Sequence, residues 1–188
     1  MRSALRRLFF TEGLAVDVYE SGVELLERAR FDRSGCLILD VKMPGMNGLE
    51  VQAELNRRGV DIPTIFLTGA SDVPIAVAAM RSGAADFLEK PFENEHLVAR
   101  VRQAIERHHQ QRLNAEERRV IGIRFASLTP RELEVLELVV AGQTSKEIAR
   151  ALGASHRTIE IHRNHLMEKT NAESLADLIR LRLIERQN

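Results

Sequence analysis

The sequence predicts two domains: an α/β domain around a doubly wound parallel sheet, then a smaller all-α domain of four short helices. Three observations carry this. Between residues 15 and 92, short apolar runs alternate with amphipathic helical stretches, the signature of strands joined by crossover helices. The runs CLILD (Cys36–Asp40) and TIFLT (Thr64–Thr68) are apolar throughout, as strands covered on both faces must be. After Phe125 the strand pattern stops, and helix start and stop signals recur at short intervals.

In chain order, Leu14–Tyr19 reads as a strand, and Ser21 caps a helix to about Arg30 with Val23, Leu26 and Ala29 inward. Strand Cys36–Asp40, helix Leu49–Arg58 and strand Thr64–Thr68 follow. Pro74 opens a further helix and Gly83 stops it, the positional preferences of proline and glycine. A short strand Ala85–Leu88 precedes Lys90-Pro91, and a helix from Glu93 runs to about Arg119. Its second half, RHHQQRLNAEERR, is polar nearly all round and reads as a helical linker. The boundaries expected are 1–107, a linker over 108–124, and 125–188.

In the second domain, Thr129-Pro130-Arg131-Glu132 and Thr144-Ser145-Lys146-Glu147 are capping boxes, in which the first side chain and the fourth satisfy each other's backbone N–H. Leu133, Leu136 and Val140 are expected inward on the first helix, and Ile148, Ala149 and Leu152 on the second. Ser155 starts a third helix to about Lys169. Ser174 starts a fourth, with Leu175, Leu178 and Ile179 inward.

No apolar run approaches the roughly 20 residues of a membrane helix, and the N-terminus carries no signal-peptide pattern, so a cytoplasmic location is expected. The single cysteine, Cys36, lies in an apolar run and reads as packing. Twenty-seven basic residues balance 27 acidic ones, so any nucleic-acid footprint must come from local clustering.

Three strand ends carry polar groups: Asp40, Thr68, and Lys90 just beyond the third. In an open parallel sheet such ends share one rim. A carboxylate, a hydroxyl and an ammonium suit phosphoryl transfer onto Asp40, with Lys90 offsetting phosphate charge and Thr68 hydrogen-bonding a phosphoryl oxygen. Singly, each reads as a solvated loop residue. Phe87 taken alone reads as core packing.

The segments DVKMPGMNG (Asp40–Gly48), LTG (Leu67–Gly69) and DFLEKPF (Asp86–Phe92) closely resemble the receiver domain of response regulators over about residues 3 to 107. The resemblance implies a flavodoxin-like fold, phosphorylation of Asp40 by a sensor histidine kinase, and a required Mg²⁺ held by Asp40 and the Lys42 carbonyl. It also implies a cis Lys90–Pro91 bond and a switch role for Phe87. The family's first strand, with the acidic pair that completes the metal site, has no counterpart here, because MRSALRRLF matches the family's first helix. Two readings stay open: a longer native chain, or a degenerate receiver that acts without phosphate.

LTPRE, KEIARALG and TIEIH resemble the LuxR-type helix-turn-helix, and the two halves together resemble NarL/FixJ-type regulators. On the third helix, Ile159, His162 and Leu166 share one face, so His162 reads as packed or backbone-bonded. Arg157, Glu160, Ile161, Asn164 and His165 face outward. Glu160 suits a cytosine amino group, Asn164 adenine, and Ile161 a thymine methyl. Lys146, Thr158, Arg163 and Lys169 suit phosphates. The expected partners are double-stranded DNA, the kinase, RNA polymerase and a second copy on activation, with no membrane and no enzyme turnover as output. The rival is a phosphorylation-independent DNA-binding regulator whose receiver serves dimerisation.

Overall fold

The computed structural model describes residues 1–69 and 83–186. The chain separates into two compact units with the break between Arg112 and Leu113. The helix opened by Pro74 lies outside the described residues. Gly83, described, takes φ +89°, a left-handed conformation that glycine adopts without a Cβ penalty.

The first unit comprises α1 (Arg2–Thr11), α2 (Gly22–Arg28), β1 (Leu37–Asp40), α3 (Gly48–Arg57), β2 (Thr64–Thr68), β3 (Asp86–Glu89) and the first part of α4 (Asn94–Ala126). The strands form a parallel sheet of order β1-β2-β3, with Asp40 opposite Leu67 and Thr68 opposite Glu89. Every residue of β2 is buried, because period-two alternation sends neighbours to opposite faces and both faces are covered. Phe66 joins Leu39, Val51, Leu55, Leu25 and Leu26 on the α2–α3 side. Ile65 and Leu67 join Phe9, Leu97 and Val101 on the α1–α4 side.

Leu14–Tyr19 is not a strand. An isolated extended segment needs a ladder partner to satisfy its backbone, and the described sheet pairs only β1, β2 and β3. Leu14 and Val16 still pack against the core of Phe9, Ile65 and Leu67, so the apolar pattern marked burial and not pairing. On α2 the inward residues are Leu25 and Leu26, while Val23 is exposed.

Helix α4 extends beyond the expected end near Arg119 to Ala126. Within the first unit, buried His108 has its Nδ1 3.2 Å from the Gly35 N–H, and Arg112 donates to the Phe31 carbonyl at 3.1 Å. From Leu113 onward α4 belongs to the second unit, where Ile121 and Phe125 are buried.

That unit adds α5 (Pro130–Val140), α6 (Ser145–Ala151), α7 (His156–Thr170) and α8 (Leu175–Glu185). Thr129 and Thr144 complete capping boxes with Glu132 and Glu147, and Ser155 and Ser174 cap α7 and α8. The core gathers Val135, Leu136, Val139, Ile148, Ile159, Leu166, Leu178 and Leu181. On the expected α5 stripe Leu136 is fully buried, Leu133 and Val140 pack against the core partly buried, and Val135 and Val139 join the core beside them. Leu175 is exposed and Leu181 takes the core place expected for it, since the first turn of α8 lies outside the packed region. No described helix is long and apolar enough to cross a membrane.

Candidate functional site

Asp40 closes β1 and Lys90 follows β3, so the two parallel strands that flank β2 deliver both to one rim. The Lys90 ammonium donates to Asp40 Oδ2 at 2.5 Å, and the Lys42 backbone N–H donates to Oδ1 at 3.1 Å. The pair is partly open to solvent, the side chains being 30% and 25% exposed for Lys90 and Asp40. Lys90–Pro91 is cis.

Gly48 explains how closely α3 approaches. A Cβ there would lie 2.5 Å from the Asp40 carbonyl oxygen and 3.0 Å from the Phe66 ring. Asn47 caps α3 in a capping box with Glu50, and the Gly48 N–H donates to the Val41 carbonyl at 3.2 Å. The loop behind Asp40 is thereby fixed at both ends.

Thr68 is brought to the same rim by its backbone, whose carbonyl accepts from the Lys90 N–H at 2.8 Å. Its side chain is buried, and the hydroxyl points to the Leu88 carbonyl at 3.5 Å. Phe87 is 43% exposed, so plain core packing does not account for it. Asp40 supplies one carboxylate whose two oxygens already accept hydrogen bonds, and among the described residues no three His, Cys, Asp or Glu side chains gather. Mg²⁺ demands octahedral oxygen ligation, which this donor set does not fit.

The second unit presents a different surface. Helices α5, α6 and α7 pack together, with Gly142 at φ +83° ending α5 and Gly153 at φ +62° ending α6. Ile159 and Leu166 are buried on α7, while Arg157, Thr158, Glu160, Ile161, Asn164 and His165 are exposed and Arg163 is half-buried. Lys146 is exposed on the first turn of α6. His162 packs as expected, but its buried Nδ1 makes no hydrogen bond. Residues 1–102 match the family model of the response regulator receiver domain, and residues 126–182 match that of the bacterial regulatory proteins of the luxR family.

The chain is a response regulator of the NarL/FixJ type.

The regulator is 43% identical to nodulation protein W of Bradyrhizobium diazoefficiens over 183 residues, 96% of this chain and 80% of that one. It is 43% identical to transcriptional regulatory protein FixJ of Azorhizobium caulinodans over 184 residues, covering 98% and 87% of the two. Among solved structures it is similar to response regulator StyR, with a TM-score of 0.89 at 38% identity over 96% of this chain and 91% of that one. Full-length FixJ from B. japonicum gives 0.59 at 37% identity, over 100% and 93%. The regulator therefore joins a flavodoxin-like receiver to a LuxR-type helix-turn-helix, and it belongs to the DNA-binding transcription regulators.

Two contributions were not visible in the regulator's sequence. Glu132 was legible as a cap, but its side chain is also buried and accepts from Lys169 at 2.7 Å, 37 residues away. Gly48 was legible as a helix start, but its contact with Asp40 depends on the folded approach of α3.

Proposed function

We propose that the regulator is switched by phosphorylation of Asp40, with a sensor histidine kinase as donor, and that the switch governs how its C-terminal domain binds DNA. The observation that carries this is the 2.5 Å contact between Lys90 and Asp40 at the carboxyl rim of the sheet. Asp40 Oδ2 attacks the phosphoryl phosphorus, a P–O bond forms as the donor's P–N bond breaks, and the freed imidazole nitrogen takes up a proton. Lys90 then transfers its charge-assisted hydrogen bond from the carboxylate to a phosphoryl oxygen. The Thr68 hydroxyl reaches that oxygen by turning from the Leu88 carbonyl, and Phe87 moves inward as it does.

We take 1–107, 108–124 and 125–188 as the functional boundaries, with His108 and Arg112 of the linker tied to the first unit and Ile121 to the core of the second. Helix α7 enters the major groove with Glu160, Ile161 and Asn164 on base edges, Arg157 and His165 beside them, and Lys146, Thr158 and Arg163 on phosphates. A homodimer on activation links two such modules and raises apparent affinity through effective concentration. A cytoplasmic location suits a kinase partner and a DNA target.

The rival reading, a phosphorylation-independent regulator, draws on the donor set at Asp40, which does not fit Mg²⁺. Incubating the full chain with acetyl phosphate and Mg²⁺, then measuring acyl-phosphate formation by mass spectrometry and DNA affinity by fluorescence anisotropy, separates them. The expected result is labelling at Asp40 with stronger DNA binding, both absent in Asp40→Asn. Absence of labelling in the unaltered chain, or stimulation that persists in Asp40→Asn, overturns the phosphorylation reading.

A further inference from the structure

Lys169 and His165 of α7 both approach Glu132, the one acidic residue among the described residues to face both. Its side chain is 4% exposed, and Oε2 accepts from the Thr129 N–H at 2.8 Å and from the Lys169 ammonium at 2.7 Å. His165 Nδ1 lies 3.7 Å from Oε1. Residues 165 and 169 are one helical turn apart on one side of α7. A carboxylate fixed in the first turn of α5 thus holds the helix that carries the base-reading side chains at Lys169 and faces the preceding turn at His165.

We infer that Glu132 is a positioning residue for DNA recognition, setting the rotation and axial register of α7 through Lys169. Lys169 therefore does not serve as a phosphate contact. The inference rests on the assignment of α7 as the base-reading helix. Ile159 and Leu166 bury α7 against the core, but apolar contact is non-directional and tolerates a helix turning or sliding. A charge-assisted hydrogen bond inside a buried site has a defined length and direction. Burial pushes the Glu132 carboxyl up, yet the bonds from Lys169 and Thr129 outweigh it and hold the group at about 2, so the tether stays ionised at neutral pH. Asn164 and Glu160 lie about one and a half and two and a half turns from Lys169, and a small rotation there carries both away from the base edges they suit.

Electrostatics alone makes the opposite forecast. Removing a negative charge beside a DNA-facing helix should strengthen attraction to any duplex, whereas losing a tether weakens sequence-specific binding only. The test uses the full chain, a duplex enriched by the unaltered protein from a randomised library, and poly(dI-dC) as non-specific duplex. Affinities are measured by anisotropy over a series of salt concentrations, with a circular-dichroism melt showing each variant folded. Glutamine keeps the capping-box geometry, so Glu132→Gln is expected to lower affinity for the enriched duplex about tenfold, the effect of roughly one mismatched base pair. Affinity for poly(dI-dC) is expected to hold or rise. Lys169→Gln should give the same loss with an unchanged salt slope, Lys169→Arg should restore binding, and the double Glu132→Gln/Lys169→Gln should lose no more than either single.

A rise in both affinities for Glu132→Gln overturns the inference, as do additive losses in the double variant. So does a salt slope for Lys169→Gln smaller by about one, the mark of a lost phosphate contact; this arm decides the matter if Glu132→Gln does not fold. Glu160→Ala/Asn164→Ala serves as control. If it leaves the specific-to-non-specific ratio untouched, the base-reading assignment itself falls and the positioning role with it. A normal loss there beside an unaffected Glu132→Gln removes the positioning role alone.

Discussion

Glu132 also makes a quantitative forecast about stability. Its carboxyl, raised by burial but pulled further down by Lys169 and Thr129, sits at about 2 against an ordinary value of 4.5. A carboxyl depressed by folding stabilises the folded chain above its unfolded pKa, and that contribution is lost as pH falls through the folded value. At ~1.36 kcal/mol per pKa unit the gap corresponds to roughly 3 kcal/mol at neutral pH, of which about 2 kcal/mol is lost by about pH 3. Glu132→Gln cannot ionise, so its deficit relative to the unaltered chain should be roughly 3 kcal/mol near pH 6 and only about 1 kcal/mol near pH 3. Glu137, Glu147 and Asp177 are also held low, but they are common to both proteins and cancel in the difference. The assay is hydrogen exchange at the buried amides of Val135, Leu136 and Ile159 in the full chain, which reports the opening free energy of that core locally. Comparing both proteins at each pH removes the intrinsic pH dependence of exchange. A deficit that stays constant across the range would refute the reasoning, because it would show that the charge of Glu132 contributes nothing and only its shape matters.

Two further expectations concern the receiver. Gly48→Ala places a Cβ 2.5 Å from the Asp40 carbonyl oxygen, so it should destabilise the receiver by about 1–3 kcal/mol and slow acyl-phosphate formation; an unshifted melting midpoint with normal labelling would mean that α3 yields freely. Burial pushes the Cys36 thiol up to about 12, so iodoacetamide should alkylate it slowly in the folded chain near pH 8 and much faster in urea, since the thiolate is the reactive form; equal rates in both would place the thiol in open solvent.

The sheet was legible because TIFLT carries its burial in its own composition, and β2 occupies the residues the sequence assigned; CLILD forms β1 but buries only Leu39 fully, because β1 has a ladder partner on one side alone in the described sheet. The helical unit was legible because a capping box closes within four residues: Thr129 to Glu132 and Thr144 to Glu147 form as read. The box at Asn47 and Glu50 went unread although the same spacing announces it. Apolar faces were less secure. Val23 and Leu175 were misplaced, and on α5 Leu136 is buried as read while Val135 and Val139 share the core place, because an amphipathic helix with apolar residues on adjacent positions fits more than one rotation, and the neighbouring elements choose among them.

What the sequence determined by itself was therefore local: the start and stop of most helices, the fully buried strand β2, and the residue types at the sheet's rim. Tertiary structure decided everything that needs a partner from elsewhere. Residues 14–19 match the composition of a strand but have no ladder to join. Asp40 meets Lys90 across 50 residues, and Glu132 meets Lys169 across 37. Phe87, in a strand, stands in solvent. Capping and periodicity are set by hydrogen bonds and side-chain directions a few residues apart, so they can be read in one dimension. Charge pairing, strand pairing and the choice of buried face depend on which distant surfaces the fold brings together.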